Sequence, residues 1–219
     1  MTILVVATLK GGAAKTTLIG LLAPLFARDR IVILLDTDPS RTLLSWSRKR
    51  GRDARVRAVG VATEAELHRT LDAILSRFRD DEVFVMIDLP ANAPDLFRAA
   101  ARRSDYLVMP TKACQVDLEG AVPSVELLTQ EGVQHAIVLV DTAPRRAEGD
   151  APDVRLARAI LKPAGGRVWS GQITSRVAIP RAIGLGRSIV ETAPDSPGAD
   201  EVRRLYDVIL RELARIRKR

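Results

Sequence analysis

The chain has 219 residues, of which 47% are hydrophobic, enough for one domain of ordinary size with its own core. Its net charge of +7 favours a polyanionic partner, nucleic acid or a membrane surface, against the bland alternative of an arginine-rich solubility bias. No run of 18 apolar residues is present, the first residues lack a signal-peptide pattern, and Cys114 is the single cysteine, so no membrane-spanning helix is indicated, an intrachain disulfide is excluded and a cytoplasmic protein is expected.

Residues 3–7 are apolar and β-branched and read as a buried strand. A glycine turn, Gly11-Gly12, follows, and Lys15-Thr16-Thr17 opens an apolar helical stretch over 18–26. Strand, glycine turn, Lys-Thr and helix form the context of a phosphate-binding loop. Backbone N–H groups of the turn and the helix N-terminus then face one concavity, which favours polyphosphate. At this spacing Lys15 sits on the outer phosphates and Thr16 offers its hydroxyl to Mg²⁺. The bland reading is a glycine turn with solvated lysines. Leu9 and Ala14 occupy places where the pattern G-x-x-x-x-G-K-[ST] has glycine.

The next strand, 31–35, ends in Asp36-Thr37-Asp38-Pro39. Ligands of a parallel sheet sit beyond the carboxyl ends of its strands, so both carboxylates fall beside the loop, where they suit Mg²⁺ and an attacking water. The alternative is an Asp-Pro turn that caps a helix. Residues 41–57 are the densest basic stretch. A short helix there turns Leu43, Leu44 and Trp46 inward, and its cations fit DNA or a plain exposed surface equally well. A strand over 56–61 precedes an amphipathic helix over 63–79, with Thr63 and Glu66 as a capping box and Leu67, Leu71, Ile74, Leu75 and Phe78 inward. His68 belongs to its surface.

Residues 83–88 form a hydrophobic strand ending in Asp88, the arrangement that places a carboxylate beside a Mg²⁺-bound water. A helix over 95–103, a strand over 106–110, a loop over 111–118, a helix over 118–131 and a strand over 136–140 follow, with His135 structural. The strand leads into Asp141. A polar loop covers 145–153, a helix 154–161, a strand 168–173 and a turn 194–199. The last helix, 200–217, buries Val202, Leu205, Ile209, Leu213 and Ile216. Arg204, Arg211, Arg215 and Lys218 stripe one face of it, able to track a phosphate backbone unless Asp200, Asp207 and Glu212 neutralise them. Basic amphipathic tails also bind membranes, but this apolar face suits sheet packing and lacks exposed aromatic anchors. Strand–helix alternation from end to end gives an α/β, three-layer, doubly wound, mostly parallel sheet with helices on both faces, in one domain over 1–219.

The run Lys10-Gly11-Gly12-Ala13-Ala14-Lys15-Thr16 resembles the deviant Walker-A loop, K-G-G-x-x-K-[ST], of the ParA/MinD family of P-loop ATPases. The segments 36–40 and 83–90 resemble the family's D-x-D-P and I-D-x-P elements, and the likeness weakens after 110. The resemblance implies ATP and Mg²⁺ as cofactors, with Gly11, Gly12, Ala13, Ala14, Lys15, Thr16 and Thr17 holding the nucleotide. It implies that Lys10 reaches the ATP of a second subunit, that Asp38 positions the hydrolytic water, that Lys10, Lys15 and Asp38 form the catalytic set, and that Thr16, Asp36 and Asp88 surround the metal. The family often has asparagine near the adenine where this chain has Asp141. Arginines of its late segment, here Arg176, Arg181 and Arg187, lie toward the adenine and the DNA-facing edge.

The implied activity is slow ATP hydrolysis in an ATP-sandwich homodimer that binds DNA non-specifically. A ParB-like partner or cargo adaptor stimulates it, and the protein is cytoplasmic and nucleoid-associated. Three alternatives stand beside it: a MinD-like membrane-positioning ATPase, a small-molecule kinase or ligase such as dethiobiotin synthetase on the same fold, and a binding module without catalysis, for which Ala14 is the motive. One cysteine is too few for the iron–sulfur reductases that share the loop.

Overall fold

The computed structural model describes all residues except 52, 54, 79–82, 146, 148 and 219. Seven strands form one all-parallel sheet: β1 (Thr2–Val6), β2 (Ile31–Asp36), β3 (Val56–Gly60), β4 (Val83–Asp88), β5 (Tyr106–Lys112), β6 (His135–Thr142) and β7 (Ile173–Thr174), in the order β3-β2-β4-β1-β5-β6-β7. Strands buried on both faces read as continuous apolar runs, which is why β1, β2 and β4 stood out in the sequence.

Alternate residues of each strand feed two cores. Leu4, Val6, Leu34, Phe84 and Met86 face α1 (Lys15–Phe26), α2 (Thr42–Arg50), α7 (Ala178–Gly184), α8 (Ile189–Thr192) and α9 (Pro197–Ile216). Ile3, Val5, Leu35, Val85 and Ile87 face α3 (Glu64–Arg77), α4 (Pro94–Arg103), α5 (Gln115–Gln130) and α6 (Pro152–Leu161). Phe26 joins α1 to the sheet and to α9: it stacks on Phe84 at 3.9 Å between ring centroids and meets Tyr206 edge-on at 4.8 Å. The three-layer doubly wound fold expected from the sequence is therefore present.

Several boundaries differ. β5 runs on to Lys112 because its ladder with β6 continues to the Lys112–Val140 pair, and α5 begins at Gln115, so little remains of the loop over 111–118. The strand expected over 168–173 reduces to Ile173–Thr174 plus one bridge from Val168 to Ile137. The Trp169 ring folds against Gly171, where a Cβ would come within 2.2 Å of it, and this turn breaks the strand. Part of the turn expected over 194–199 is the first turn of α9. Ser196 caps it by accepting from Ala199 N–H, and Pro197 opens the helix.

In α3 Leu75 faces solvent, 44% exposed, and Phe78 lies at the C-cap, half-buried, because the inward stripe is limited to Leu67, Leu71 and Ile74. Thr63 caps Glu66 N–H as expected, while the Glu66 carboxylate reaches one residue further back, to Ala62 N–H. Arg79, the expected end of this helix, lies outside the described residues, as do positions 52 and 54 of the basic stretch and 146 and 148 of the polar loop.

Candidate nucleotide-binding site and basic surfaces

The loop between β1 and α1 leaves the carboxyl end of the central strand, in the crevice between β4 and β5 where ligands of parallel sheets bind. Two distant residues pin it. Leu9 N–H donates to Ser124 Oγ of α5 at 3.1 Å, and Leu9 carbonyl accepts from Asn92 N–H at 3.0 Å. No local sequence signal pointed to Ser124 or Asn92, which reach the loop only through tertiary packing. Gly12 and Ala14 both adopt left-handed backbone, φ 74 and φ 59. Gly12 does so freely, whereas Ala14 carries the Cβ penalty of that region, about 1–2 kcal/mol. Ala14 is the N-cap of α1 and gives it no side-chain cap, so the first N–H groups of the helix face the concavity unclaimed by side chains.

Lys15 is buried and donates to the Lys10 carbonyl across the loop at 3.4 Å. Burial lowers its pKa, and the Asp88 and Asp38 carboxylates oppose that shift. Thr16 Oγ1 donates to Asp88 Oδ2 at 2.5 Å. Burial raises the Asp88 carboxyl to about 7; the Thr16 hydrogen bond and Lys15 act against this, while Asp36 and Asp38 add to it. The other Asp88 oxygen, Oδ1, is buried without a hydrogen-bond partner.

A buried orphan carboxylate oxygen beside a threonine hydroxyl and a lysine fits a magnesium–nucleotide complex. Among the described residues no cluster of three or more His, Cys, Asp or Glu side chains forms a metal site by itself. Phosphate oxygens would therefore complete the coordination, as Mg²⁺ sites of this kind require.

Asp36 is fully buried, and the structure gives both its oxygens to backbone: Oδ1 accepts from Asp38 N–H at 3.1 Å and Oδ2 from Leu44 N–H at 2.9 Å. It thus fixes the following turn and the start of α2. The Asp-Pro turn is formed too, with Asp38 Oδ1 accepting from Ser40 N–H at 2.8 Å. Lys10 lies against α5. Its stem covers Gly120, where a Cβ would fall 2.9 Å from Lys10 Cδ, and its Nζ is 4.0 Å from Asp117.

A cavity of about 560 Å³ continues from Gly12, Ala14 and Thr17 toward the ends of β5, β6 and β7. Leu18, Leu21, Val140, Ile173, Ile179 and Pro180 supply apolar walls. Its polar rim includes Asp141, with φ 54, whose Oδ2 lies 3.0 Å from Lys112 Nζ. A hydrogen bond from Ser175, then Lys112, hold the Asp141 carboxyl below its ordinary pKa.

The candidate DNA residues separate. Arg204, Arg211 and Arg215 are exposed on α9 opposite the buried Val202, Leu205, Ile209 and Leu213, and Lys218 is exposed just past the end of the helix. No ion pair among the described residues engages them; Asp200 pairs instead with Arg203 at 2.9 Å. Arg204 and Arg211 border a cavity of about 330 Å³ that Arg145 also lines. Arg176 is taken by Glu201 at 3.1 Å and Arg187 by Glu191 at 3.5 Å, while Arg181 is exposed. In the basic stretch Arg41 donates to the Asp36 and Val61 carbonyls, Arg50 forks onto Glu191, and Arg55 donates to the Ala27 and Arg28 carbonyls. Those three arginines hold the fold together; Arg48, Lys49 and Arg57 remain exposed.

An all-parallel sheet with a two-lysine glycine loop at its central strand, faced by Thr16 and Asp88, defines a P-loop nucleotide-binding fold of the ParA/MinD kind. The sequence model described as VirC1 protein matches residues 1–151, and the chain belongs to that family. It is similar to Protein ParA of Rhizobium radiobacter, 26% identical over 151 residues, which are 66% of each chain. It is also similar to the Maintenance of carboxysome distribution protein A of Halothiobacillus neapolitanus, 25% identical over 218 residues covering 94% of this chain and 95% of the relative. Among solved structures, the Cyanothece McdA–ATP complex superimposes with a TM-score of 0.74 at 16% identity, over 95% of this chain and 96% of the other. That likeness bears on the fold.

Proposed function

We propose that this protein is a ParA-like ATPase that positions plasmid, chromosomal or protein cargo. Mg-ATP binds at residues 10–17; Lys15 neutralises the outer phosphates, and Thr16 and Asp88 hold the metal with its water. Bound Mg²⁺ supplies charge neutralisation at the phosphates. Lys10 leaves Asp117 and reaches the nucleotide of a second subunit, so that ATP closes a homodimer. Asp38 orients the attacking water, and Asp36 supports it by holding the turn that carries Asp38. The dimer binds DNA non-specifically through the cations of α9, with Arg181 at the edge. A ParB-like protein or cargo adaptor stimulates slow hydrolysis and release. One domain over 1–219 carries all of this, in the cytoplasm on the nucleoid.

The reading is carried by the cluster of buried Lys15, half-buried Thr16 and buried Asp88, with its orphaned Asp88 oxygen at the end of β4 beside the glycine loop. Burying these groups is costly unless a ligand completes them. The cargo-positioning part draws on the relatives named above. A membrane role has less support: no helix of the described residues is long and apolar enough to cross a bilayer, and the apolar face of α9 is packed against the sheet.

The test is DNA binding of the purified protein with Mg-ATP, Mg-ADP and no nucleotide, at moderate salt. Binding of any duplex in the ATP state alone is the expected result. Equal binding in all three states would remove the nucleotide switch. Sedimentation with anionic liposomes in the ATP state, without DNA binding, would move the protein to the membrane-positioning class.

A further inference from the structure

The rim of the 560 Å³ cavity holds an ionic pair that the phosphate site does not use. Asp141 at the end of β6 and Lys112 at the end of β5 sit 3.0 Å apart, both lining the cavity that begins at Gly12 and Ala14. A nucleotide whose phosphates lie on the loop has this cavity for its base. Its walls are apolar, which suits any purine, so the choice between purines falls to the few polar groups at the rim.

An ionised carboxylate only accepts hydrogen bonds, and an ammonium only donates them. Adenine offers one donor on this edge, its 6-amino group, beside the N1 lone pair, which a carboxylate oxygen repels. Guanine offers two adjacent donors, N1–H and the 2-amino group, and an acceptor at O6. A carboxylate with a neighbouring ammonium matches that row. Asp141 already accepts from Lys112 and Ser175, yet two carboxylate oxygens carry about four acceptor positions, so capacity remains. An asparagine at this place could donate to adenine N1 through its amide; aspartate cannot.

We propose that the cavity accepts guanine nucleotides as well as adenine nucleotides, with Asp141 as the residue that sets base choice and Lys112 beside it as the donor to O6. This rests on the reading of residues 10–17 as a nucleoside-triphosphate site.

The experiment is titration calorimetry of the full chain with Mg²⁺ and the β,γ-imido analogues of ATP, GTP and ITP, repeated with Asp141→Asn. Asn tolerates the left-handed backbone of this position, so the variant keeps the local fold. The GTP analogue is expected to bind within about tenfold of the ATP analogue, or more tightly, and the ITP analogue, which lacks the 2-amino group, more weakly than the GTP analogue by about tenfold, the worth of one charge-assisted hydrogen bond. In Asp141→Asn the GTP-to-ATP affinity ratio is expected to fall by about tenfold. A GTP analogue more than about tenfold weaker than the ATP analogue in the wild type, or a ratio unmoved by Asp141→Asn, overturns the inference while leaving the nucleotide site intact. Binding of none of the three overturns the nucleotide site itself.

Discussion

The carboxyl edge of the sheet has two halves, built in different ways. On the β1–β2–β4 half most polar groups are held within the protein: Thr16 by Asp88, Asp36 by two backbone N–H groups, and the loop by Ser124 and Asn92, with Asp88 Oδ1 left over. On the β5–β6–β7 half the polar rim includes a half-exposed pair, Lys112 and Asp141, above apolar walls. Phosphate recognition uses backbone amides and one short motif, so its chemistry tolerates little change. Base recognition, as proposed above, would use single side chains from separate strands, each replaceable alone. The difference implies that substitutions in the first half abolish binding, while those in the second alter its selectivity.

Lys15→Ala breaks the first half most severely. Removing the buried cation leaves Asp88 and the phosphates uncompensated, and Mg-ATP affinity is expected to fall roughly a hundredfold or more in calorimetry. Retained affinity would detach the loop from nucleotide binding. Asp38→Ala separates binding from chemistry: ATP-dependent dimers persist, while phosphate release slows by about a hundredfold, the range for a lost general base or water-positioning group. An unchanged rate would leave Asp38 with its turn at Ser40 alone.

Double reversal, Arg211→Glu with Arg215→Glu, is expected to weaken DNA binding and reduce the slope of log affinity against log salt by about two, since each phosphate contact contributes about 0.9. A gel shift identical to wild type would move the DNA face to Arg48, Lys49 and Arg57.

The Asp88 carboxyl gives a pH test of the free protein. Its folded pKa, about 7, lies above the ordinary 3.8, so its protonated form favours the fold. That contribution is complete below the ordinary value and is lost as pH rises through about 7. In urea titrations without nucleotide, the stability of wild type relative to Asp88→Asn should therefore be lower at pH 8 than at pH 5; a difference independent of pH would contradict the burial. The smallest effect is expected from Ala14→Gly. It relieves the left-handed alanine, offset partly by unfolded-chain entropy, for a net gain of about 0.5–1 kcal/mol and a melting temperature about 1–4 °C higher. A lower melting temperature would show that packing of the Ala14 methyl outweighs its backbone strain.

The legible part of the molecule was that in which function and local sequence coincide. The apolar runs of β1, β2 and β4 mark strands buried on both faces, and Gly11-Gly12, Lys15, Thr16 and Asp88 stand at their ends. Residues whose part depends on packing were not legible. Ser124 lies 115 positions from the loop residue it holds, and Glu201, buried beneath Thr174 and Arg176, looks in the sequence like any acid of a surface helix. Arginines mislead for the same reason. Arg41, Arg50, Arg55 and Arg176 read as surface cations, yet their guanidinium groups reach carbonyls and carboxylates of the protein itself. The α9 stripe is distinguished by its exposed cations, which no acid pairs with among the described residues.

The most direct measurement is the mass of the Asp38→Ala protein in solution, by light scattering, with Mg-ATP and with Mg-ADP, beside the same protein carrying Lys10→Ala. Twice the chain mass is expected with Mg-ATP, the single-chain mass with Mg-ADP, and the single-chain mass in both states once Lys10 is gone. A monomer in every state despite bound ATP, or a dimer indifferent to nucleotide and to Lys10, would contradict the ATP-closed homodimer.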